Sequence, residues 1–268
     1  ILMENIKYIN KKIYQNTLPF PYISVDNILN SNFALEIQNE ILEIKDELWD
    51  RYENPFEKKY TLRNKNELPK NTQLLFDILT SDDFRKKLSE IVGEELYNDN
   101  TKHWWGIHKY KNGDKLDIHS DAGIHPISGD KKHITLGIYL SKNWSEKNKG
   151  CLEIWEGGDV MDDNVKLFSK ITEILPTFNK LILFNNTNNA WHGNPEQVIC
   201  NEDSIRIFLT ISYLSKNHNT PYSNNRKRAF FIKRPNDPID YEKDKLRLMR
   251  ADENKYIEIY KYTIKNSN

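Results

Sequence analysis

The segment from about residue 102 to 215 constrains the fold most, because it is built from short runs of β-branched and aromatic residues. These runs alternate with clusters of Asn, Gly, Asp and Lys. Such spacing is typical of strands joined by turns, and several in succession predict an antiparallel sandwich or barrel. The candidate strands are 103–110, 132–140, 151–155, 171–175, 181–184 and 205–214.

The first hundred residues have a helical period instead. After a helix-start signal at Asn30-Ser31-Asn32, apolar residues recur every three or four positions. These positions are Phe33, Ile37, Ile41, Ile44 and Leu48. A second helix is predicted around 72–79, and a third after Ser81, whose hydroxyl can cap it and which Gly93 would close.

Together these patterns predict an α+β chain with a mainly β core, organised as one domain over residues 1–268. Residues 1–100 are expected to give mainly helical support and 101–215 the β core. Residues 216–268 form a C-terminal extension, with a short strand at 229–232 and a charged helix at 241–250.

The charge balance and the cysteine count exclude several classes of protein. The 39 basic and 39 acidic side chains cancel, so nothing indicates a nucleic-acid partner. No apolar run approaches the roughly 20 residues of a membrane span, and the start lacks a signal-peptide pattern. Cys151 and Cys200 do not form a disulfide framework, so both are expected to be thiols. We expect a soluble, cytoplasmic protein without a membrane partner.

The segment Asp117-Ile118-His119-Ser120-Asp121 carries the most informative chemistry. In an extended chain, residues two apart point to the same side, so His119 and Asp121 can address one ion together. His192, within Trp191-His192-Gly193, offers a third ligand. Two imidazoles and one carboxylate leave coordination positions open, an arrangement that suits Fe(II).

The order of the surrounding segments resembles the prolyl 4-hydroxylase-like branch of the Fe(II)/2-oxoglutarate-dependent dioxygenases. The features in common are a Tyr-rich strand from Tyr110, the His-x-Asp triplet, a strand through Tyr139 followed by Trp144, a Gly-x-Leu strand from Gly150, a segment from Pro176 that leads to His192, and an apolar strand opened by Arg206. Six features in this order over about a hundred residues are more specific than the triplet alone.

This resemblance implies a double-stranded β-helix of the jelly-roll, cupin-like type, with His119, Asp121 and His192 as iron ligands. It implies Fe(II), 2-oxoglutarate and O₂ as cofactor and cosubstrates, with ascorbate as an additional reductant. Arg206 matches the residue that binds the distal carboxylate of 2-oxoglutarate, because a guanidinium fork pairs two donors with two oxygens. Tyr139 and Tyr110 match tyrosines of the cosubstrate pocket. By strand alternation, Thr210 lies on the same face as Arg206 and could add a hydroxyl to the cosubstrate pocket.

Two positions depart from the family pattern. Arg206 lies 14 residues after His192, a longer separation than in many relatives, and Asn201-Glu202-Asp203 is interpreted as an inserted turn. Lys149 stands where the family's first glycine is expected, before Gly150. In contrast, the carboxylate of Asp121 is present, whereas halogenase relatives lack it, so the resemblance favours hydroxylation over halogenation.

The substrate is the least constrained part of the hypothesis. A prolyl residue of a peptide or protein is favoured, with a free amino acid or a sugar-linked small molecule as alternatives. The loops 122–131 and 218–228 could cover the site. The candidate substrate-binding residues are Trp155, His125, Arg226 and Arg228.

Two other functions remain possible from the residues alone. A non-catalytic jelly-roll module could bind peptide or sugar with no metal chemistry. A Zn(II) hydrolase could use the same His-Asp-His triad, although it would need a general base near the metal and would have no use for Arg206 on an inner strand.

Overall fold

The computed structural model of the protein describes residues 3, 5–218 and 224–259. Within these residues, thirteen strands join a single sheet, and every paired strand runs antiparallel to its neighbour. The strands are β1 (Tyr22–Val25), β2 (Trp49–Glu53), β3 (Glu57–Leu62), β4 (Tyr97–Asn98), β5 (Gly106–Tyr110), β6 (Lys115–Ser120), β7 (Lys131–Tyr139), β8 (Leu152–Gly157), β9 (Leu167–Ile174), β10 (Lys180–Asn185), β11 (Trp191–Asn194), β12 (Arg206–Ser215) and β13 (Phe230–Phe231).

The described helices flank this sheet. The α-helices are α1 (Lys11–Asn16), α2 (Ser31–Leu42), α3 (Lys70–Thr80), α4 (Asp82–Val92) and α5 (Tyr241–Ala251). Short 3₁₀ turns lie at Asn5–Tyr8, Asp46–Leu48 and Glu146–Asn148. None of the helices that the structure describes has the length and apolar composition needed to cross a membrane.

The strand order is β1-β10-β7-β12-β5-β3-β6-β11-β8-β9, with β2, β4 and β13 added beside β3, β12 and β6. Because β3 joins β5 to β6, the sheet curves into a nearly closed, barrel-like jelly roll. The predicted fold class, a mainly β core of the double-stranded β-helix type with helices beside it, is confirmed.

Side-chain alternation divides the long strands between an apolar outer face and a more polar interior. On β7, Ile134, Leu136 and Ile138 join the largest apolar cluster, which also contains Ile37 of α2 and Leu75 of α3. The helices therefore cover the outer face of the sheet. The alternate residues of the same strands point into the barrel, and the site described below lies there.

The predicted elements agree well with the structure from β5 onwards, where all six candidate strands form. Gly93 ends α4 with φ of +84°, and the helix proposed for 241–250 and the strand at 229–232 are also present. The helix starting at residue 31 ends at Leu42, so Ile44 and Leu48 lie outside it. Both cysteines are free thiols.

Strands β1 to β4, β6 and β11 were not among the candidate strands. The sequence of β3, Glu-Lys-Lys-Tyr-Thr-Leu, lacks an apolar face because one side of this strand borders a cavity that several charged side chains line and the other is only half-buried. Strand signals depend on one buried apolar face, so a central strand of this composition gives no clear pattern.

Candidate active site

The three predicted metal ligands converge because two strands pair in a particular register. His192 on β11 lies directly opposite His119 on β6, and their ring centroids are 4.5 Å apart. Asp121 follows the end of β6. Its Oδ1 lies 3.3 Å from Nε2 of His119 and 3.9 Å from Nε2 of His192. One ligand atom from each residue lies within 4.8 Å of the other two.

Backbone carbonyls fix the orientation of both imidazoles. Nδ1 of His119 donates to the carbonyl oxygen of Asp117 at 2.9 Å, and Nδ1 of His192 donates to that of Ala190 at 2.8 Å. A carbonyl oxygen can only accept, so in each neutral ring the proton sits on Nδ1. The lone pair of each Nε2 therefore points towards Asp121, which is the orientation that metal-binding histidines need.

The charge states also suit a cation. Burial, followed by the charge of His119, lowers the pKa of His192 to about 4, so this ring is neutral near pH 7. Burial opposes ionisation of Asp121. The ammonium of Lys132 and the two imidazoles outweigh that effect and hold the pKa of the carboxyl well below its usual range. His192 thus offers a neutral nitrogen and Asp121 an ionised carboxylate without prior loss of protons.

Lys132, at the start of β7, is a site residue that the sequence patterns did not indicate. Its Nζ lies 2.9 Å from Oδ2 of Asp121 and 5.0 Å from the ring centroid of Trp104. Because Lys132 holds Oδ2, the other oxygen of Asp121 faces the two imidazoles. A lysine inside a predicted strand does not by itself indicate a partner. The ion pair of Lys132 with Asp121 depends on how residues 122–131 bring the chain back to the site.

Arg206 lies at the start of β12, buried to 1% exposure and directly opposite Tyr110 of β5. Its guanidinium carbon is 4.6 Å from the ring centroid of Tyr110 and 5.1 Å from that of Tyr139. Nε donates to the carbonyl oxygen of Gly150 at 2.9 Å. One terminal nitrogen is buried without a partner. Among the described residues, no carboxylate lies within 4.0 Å of this guanidinium.

The backbone at Gly150 makes room for Arg206. This residue has φ of +68°, and a Cβ there would lie 2.9 Å from Cγ2 of Val198 and 3.2 Å from Cδ of Arg206. Glycine is therefore required by both conformation and space. The preceding residue, Lys149, is exposed and has φ of 54° and ψ of −151°, a region that side-chain-bearing residues seldom adopt.

Replacing Lys149 with glycine should stabilise the protein by about 1 kcal/mol, because the strain of this conformation is removed. Thermal or urea unfolding of Lys149→Gly measures the gain. Asn143→Gly is the matched control: Asn143 also has positive φ, 57°, but asparagine tolerates that region and little change is expected. Lower stability of Lys149→Gly would show that this backbone is not strained.

A cavity of about 360 Å³ contains the triad and the Arg206 group together. Tyr110, Tyr139 and Thr210, the other predicted cosubstrate residues, also line it. Burial is the main cause that raises the pKa of Tyr139 to about 12, so its hydroxyl keeps its proton and can donate. The hydroxyl of Thr210 already donates to the carbonyl oxygen of Leu136 at 3.0 Å.

The four predicted substrate-binding residues are not among those that line this cavity. The buried ring of His125 lies 3.1 Å from Asp99 Oδ1, and Nε1 of Trp155 donates to Glu153 at 2.6 Å. Arg226 and Arg228 lie over the rings of Phe230 and Tyr256.

Two loops, 122–131 and 218–228, were predicted to cover the site. Residues 122–131 do not line the cavity; the pairing of His125 with Asp99 ties this loop to the chain before β5. Of the segment 218–228, residues 219–223 lie outside the described part of the chain.

Several cavity-lining residues escaped the sequence patterns because they lie on or beside β3 and β5. Lys59 and Thr61 point inwards from β3, and His108 does so from β5. Trp104 and Lys65 lie just outside these strands. Alternation in phase with Tyr110 could have identified His108, whereas β3 first had to be recognised as a strand.

Comparison with known proteins identifies the class. Residues 105–214 match the model of the 2OG-Fe(II) oxygenase superfamily, and this segment contains the triad and Arg206. No curated protein sequence matches the chain. The match confirms the predicted class: the chain carries the core of a 2OG-Fe(II) oxygenase and is an enzyme of the dioxygenase type. This class implies Fe(II), 2-oxoglutarate and O₂, and it favours neither a non-catalytic module nor a zinc hydrolase.

Solved structures share the fold at low sequence identity. A prolyl-4-hydroxylase from Pseudomonas putida has a TM-score of 0.51 and 13% identity, covering 77% of this chain and 99% of that one. A prolyl hydroxylase from Trichoplax adhaerens, in complex with a hypoxia inducible factor peptide fragment, has a TM-score of 0.56 and 16% identity. The match covers 79% of this chain and 90% of that one. The carbocyclase SnoK from nogalamycin biosynthesis has a TM-score of 0.58 and 9% identity. The match covers 87% of this chain and 90% of that one.

Proposed function

We propose that this oxygenase binds Fe(II) through His119, Asp121 and His192 and anchors 2-oxoglutarate through Arg206. With these partners it hydroxylates an unactivated C–H bond, and a prolyl residue of a peptide or protein is the proposed substrate. Ascorbate is proposed as the reductant that keeps the iron ferrous.

The buried guanidinium of Arg206 is the observation that carries this proposal. A buried charge without a counter-ion is costly, and no carboxylate within 4.0 Å neutralises Arg206 among the described residues. Its partnerless terminal nitrogen and the metal-ligand triad belong to one cavity. A dicarboxylate that reached from the metal to Arg206 would supply the missing anion, and 2-oxoglutarate has that chemistry.

The triad fits Fe(II). Two neutral imidazoles and one carboxylate are the donor set of non-haem iron oxygenases, which keep positions open for cosubstrate and O₂. Lys132 holds Oδ2 of Asp121 at 2.9 Å, so we expect Asp121 to ligate through Oδ1 alone. Single-oxygen ligation would preserve the open positions.

The remaining residues orient the reactants and limit access of water. The guanidinium of Arg206 can offer parallel N–H donors to one carboxylate, and the protonated hydroxyl of Tyr139 can add a third donor. Packing against the rings of Tyr110 and Tyr139 fixes the plane of the guanidinium. Bound iron would activate O₂, with one oxygen atom used to convert 2-oxoglutarate to succinate and CO₂ and the other transferred to the substrate as hydroxyl.

The prolyl substrate is supported by analogy. Two of the structures that share this fold are described as prolyl hydroxylases, one of them in complex with a peptide. The third is a carbocyclase, so the fold accommodates more than one chemistry. The residues that surround the open part of the cavity therefore decide the substrate.

Anaerobic titration of the Fe(II)-loaded protein with 2-oxoglutarate tests the core of the proposal. We expect a visible charge-transfer band that saturates with 2-oxoglutarate, because the cosubstrate would bind the metal directly. Succinate should then form when O₂ is admitted, and more rapidly with ascorbate present. A folded, iron-loaded protein that gives no such band would contradict the proposal. Hydroxylation of prolyl peptides is assayed separately by mass spectrometry.

A further inference from the structure

A histidine projects into the cavity from the same strand face as Tyr110. Gly106, His108 and Tyr110 alternate on β5, and all three line the cavity. The ring of His108 lies over Gly106, where a Cβ would be only 2.5 Å from Nε2. It also stacks beside Phe208, with centroids 6.4 Å apart. The ring is thus held in one place by packing alone.

Neither ring nitrogen of His108 hydrogen bonds to another residue in the described part of the chain, and Nδ1 is buried without a partner. Burial is the main reason that the pKa of His108 lies well below its usual value, and the charges of Lys59, Lys65 and Arg206 lower it further. A neutral imidazole has one donor and one acceptor. Buried polar groups of this kind normally have hydrogen-bond partners, so we expect a ligand to hydrogen bond to His108.

The cavity around His108 has an excess of positive charge. Its charged lining residues are Lys59, Lys65, Lys132, Arg206 and Arg250 against Glu57 and Asp121. Lys132 is paired with Asp121, and Arg206 would be used by 2-oxoglutarate, so Lys65 remains as a cation with no carboxylate within 4.0 Å among the described residues. Field lines are concentrated in such clefts, and the molecule that fills the rest of the cavity should therefore be an anion.

Lys65 contributes a cation without a carboxylate partner. Its half-buried ammonium donates to the carbonyl oxygens of Lys102 and His103, both at 3.1 Å. No carboxylate lies within 4.0 Å of it in the described ranges. Burial lowers the pKa of Lys65, and the more distant charge of Asp99 opposes this effect only in part. The ammonium has a third proton to donate.

His108 and Lys65 lie apart from Arg206, the residue proposed to anchor 2-oxoglutarate. Arg206 is paired across the sheet with Tyr110, whereas His108 is paired with Phe208 on one side and Thr61 on the other. His108 therefore lies in the next row of inward side chains, shifted from Arg206 along the strands. Lys65 lies still further on, beyond the end of β3, beside His103 and Trp104 of the cavity wall.

We propose that His108, Lys59 and Lys65 bind an anionic group of the primary substrate, a carboxylate or a phosphate. The inference rests on the proposed function, since it assumes that Arg206 and the metal hold 2-oxoglutarate. His108 supplies a hydrogen bond, and the two lysines supply the charge. The enzyme then selects an acidic substrate, such as one that carries the proposed prolyl ring close to a free carboxylate or phosphate group.

The test uses the Zn(II)-substituted full chain saturated with 2-oxoglutarate and labelled with ¹³C in the histidine rings. The His108 signal is assigned by its loss in His108→Phe, which keeps the ring packing. Acetate, inorganic phosphate and neutral acetamide are then titrated. We expect a saturable shift of the His108 signal with an anion and none with acetamide; the tighter of the two anions indicates whether the site prefers carboxylate or phosphate.

Lys65→Met should weaken anion binding about 10-fold, the usual effect of losing one charge-assisted hydrogen bond. Lys58→Met is the matched control, because Lys58 is half-buried on β3 but faces away from the cavity. No saturable shift with either anion, an equal shift with acetamide, or unchanged binding in Lys65→Met would overturn the proposal. Failure of the proposed function would appear separately, as a missing 2-oxoglutarate band in the Fe(II) protein.

Discussion

Arg206→Ala should weaken 2-oxoglutarate binding by about 100-fold or more while the protein still binds iron. Removing one partner of a buried, hydrogen-bonded charge pair costs several kcal/mol, which corresponds to this factor. The triad makes no contact with Arg206 that fixes a metal ligand, so iron affinity should change little. Anaerobic titration of the visible band gives the 2-oxoglutarate affinity, and metal analysis after dialysis gives the iron content.

Two further variants control this result. Arg206→Lys keeps the charge but loses the planar fork, so we expect intermediate affinity. Arg226→Ala removes a half-buried arginine that does not line the cavity, and 2-oxoglutarate binding should be unchanged. If Arg206→Ala lost iron in a folded protein, or kept full 2-oxoglutarate affinity, the anchor would have to be another residue.

The β core was largely predictable because its strands follow local rules. The runs at 132–140 and 205–214 contain alternating apolar residues that pack under the helices, and both strands form as expected. The order of Tyr110, the His-x-Asp triplet, Gly150 and Arg206 also placed these residues at one site before any geometry was known. The structure explains this, since each lies on or beside a strand whose inner face lines the cavity.

What could not be predicted depends on contacts between distant parts of the chain. Lys132 pairs with Asp121 because residues 122–131 fold back and start β7 beside the triad. His125 was predicted to contact substrate; in the structure this residue is 1% exposed and its ring is paired with Asp99, 26 residues earlier. In both cases the residue type was visible in the sequence and its partner was not.

The inner face of the barrel also explains why the substrate was hard to infer. β3 lies within the first hundred residues, which were predicted to be mainly helical, and its Lys59 lines the cavity. Its charged sequence has no apolar alternation, so nothing placed this lysine near His108 before the strand order was known. The residues that we propose to select the substrate are therefore those for which local patterns were weakest.

Asp121→Asn should lower metal affinity by at least about 100-fold, because loss of even an outer partner of a metal ligand typically costs 10- to 100-fold. The substitution keeps the shape of the side chain but removes the charge that faces both imidazoles. Lys132 would then lie beside the metal position without a neutralising carboxylate. Competition between the protein and a fluorescent chelator for Fe(II) or Zn(II) measures the loss, and 2-oxoglutarate should give no visible band.

Asp117→Asn is the matched control, since Asp117 is buried in the same sequence motif but pairs with Lys115 at 2.6 Å and Lys243 at 2.8 Å. Its backbone carbonyl, which orients His119, is unchanged by the substitution. We therefore expect Asp117→Asn to lower the melting temperature and leave metal affinity nearly intact, the reverse of Asp121→Asn. Equal losses of metal in the two variants would mean that folding, and not ligation by Asp121, controls binding.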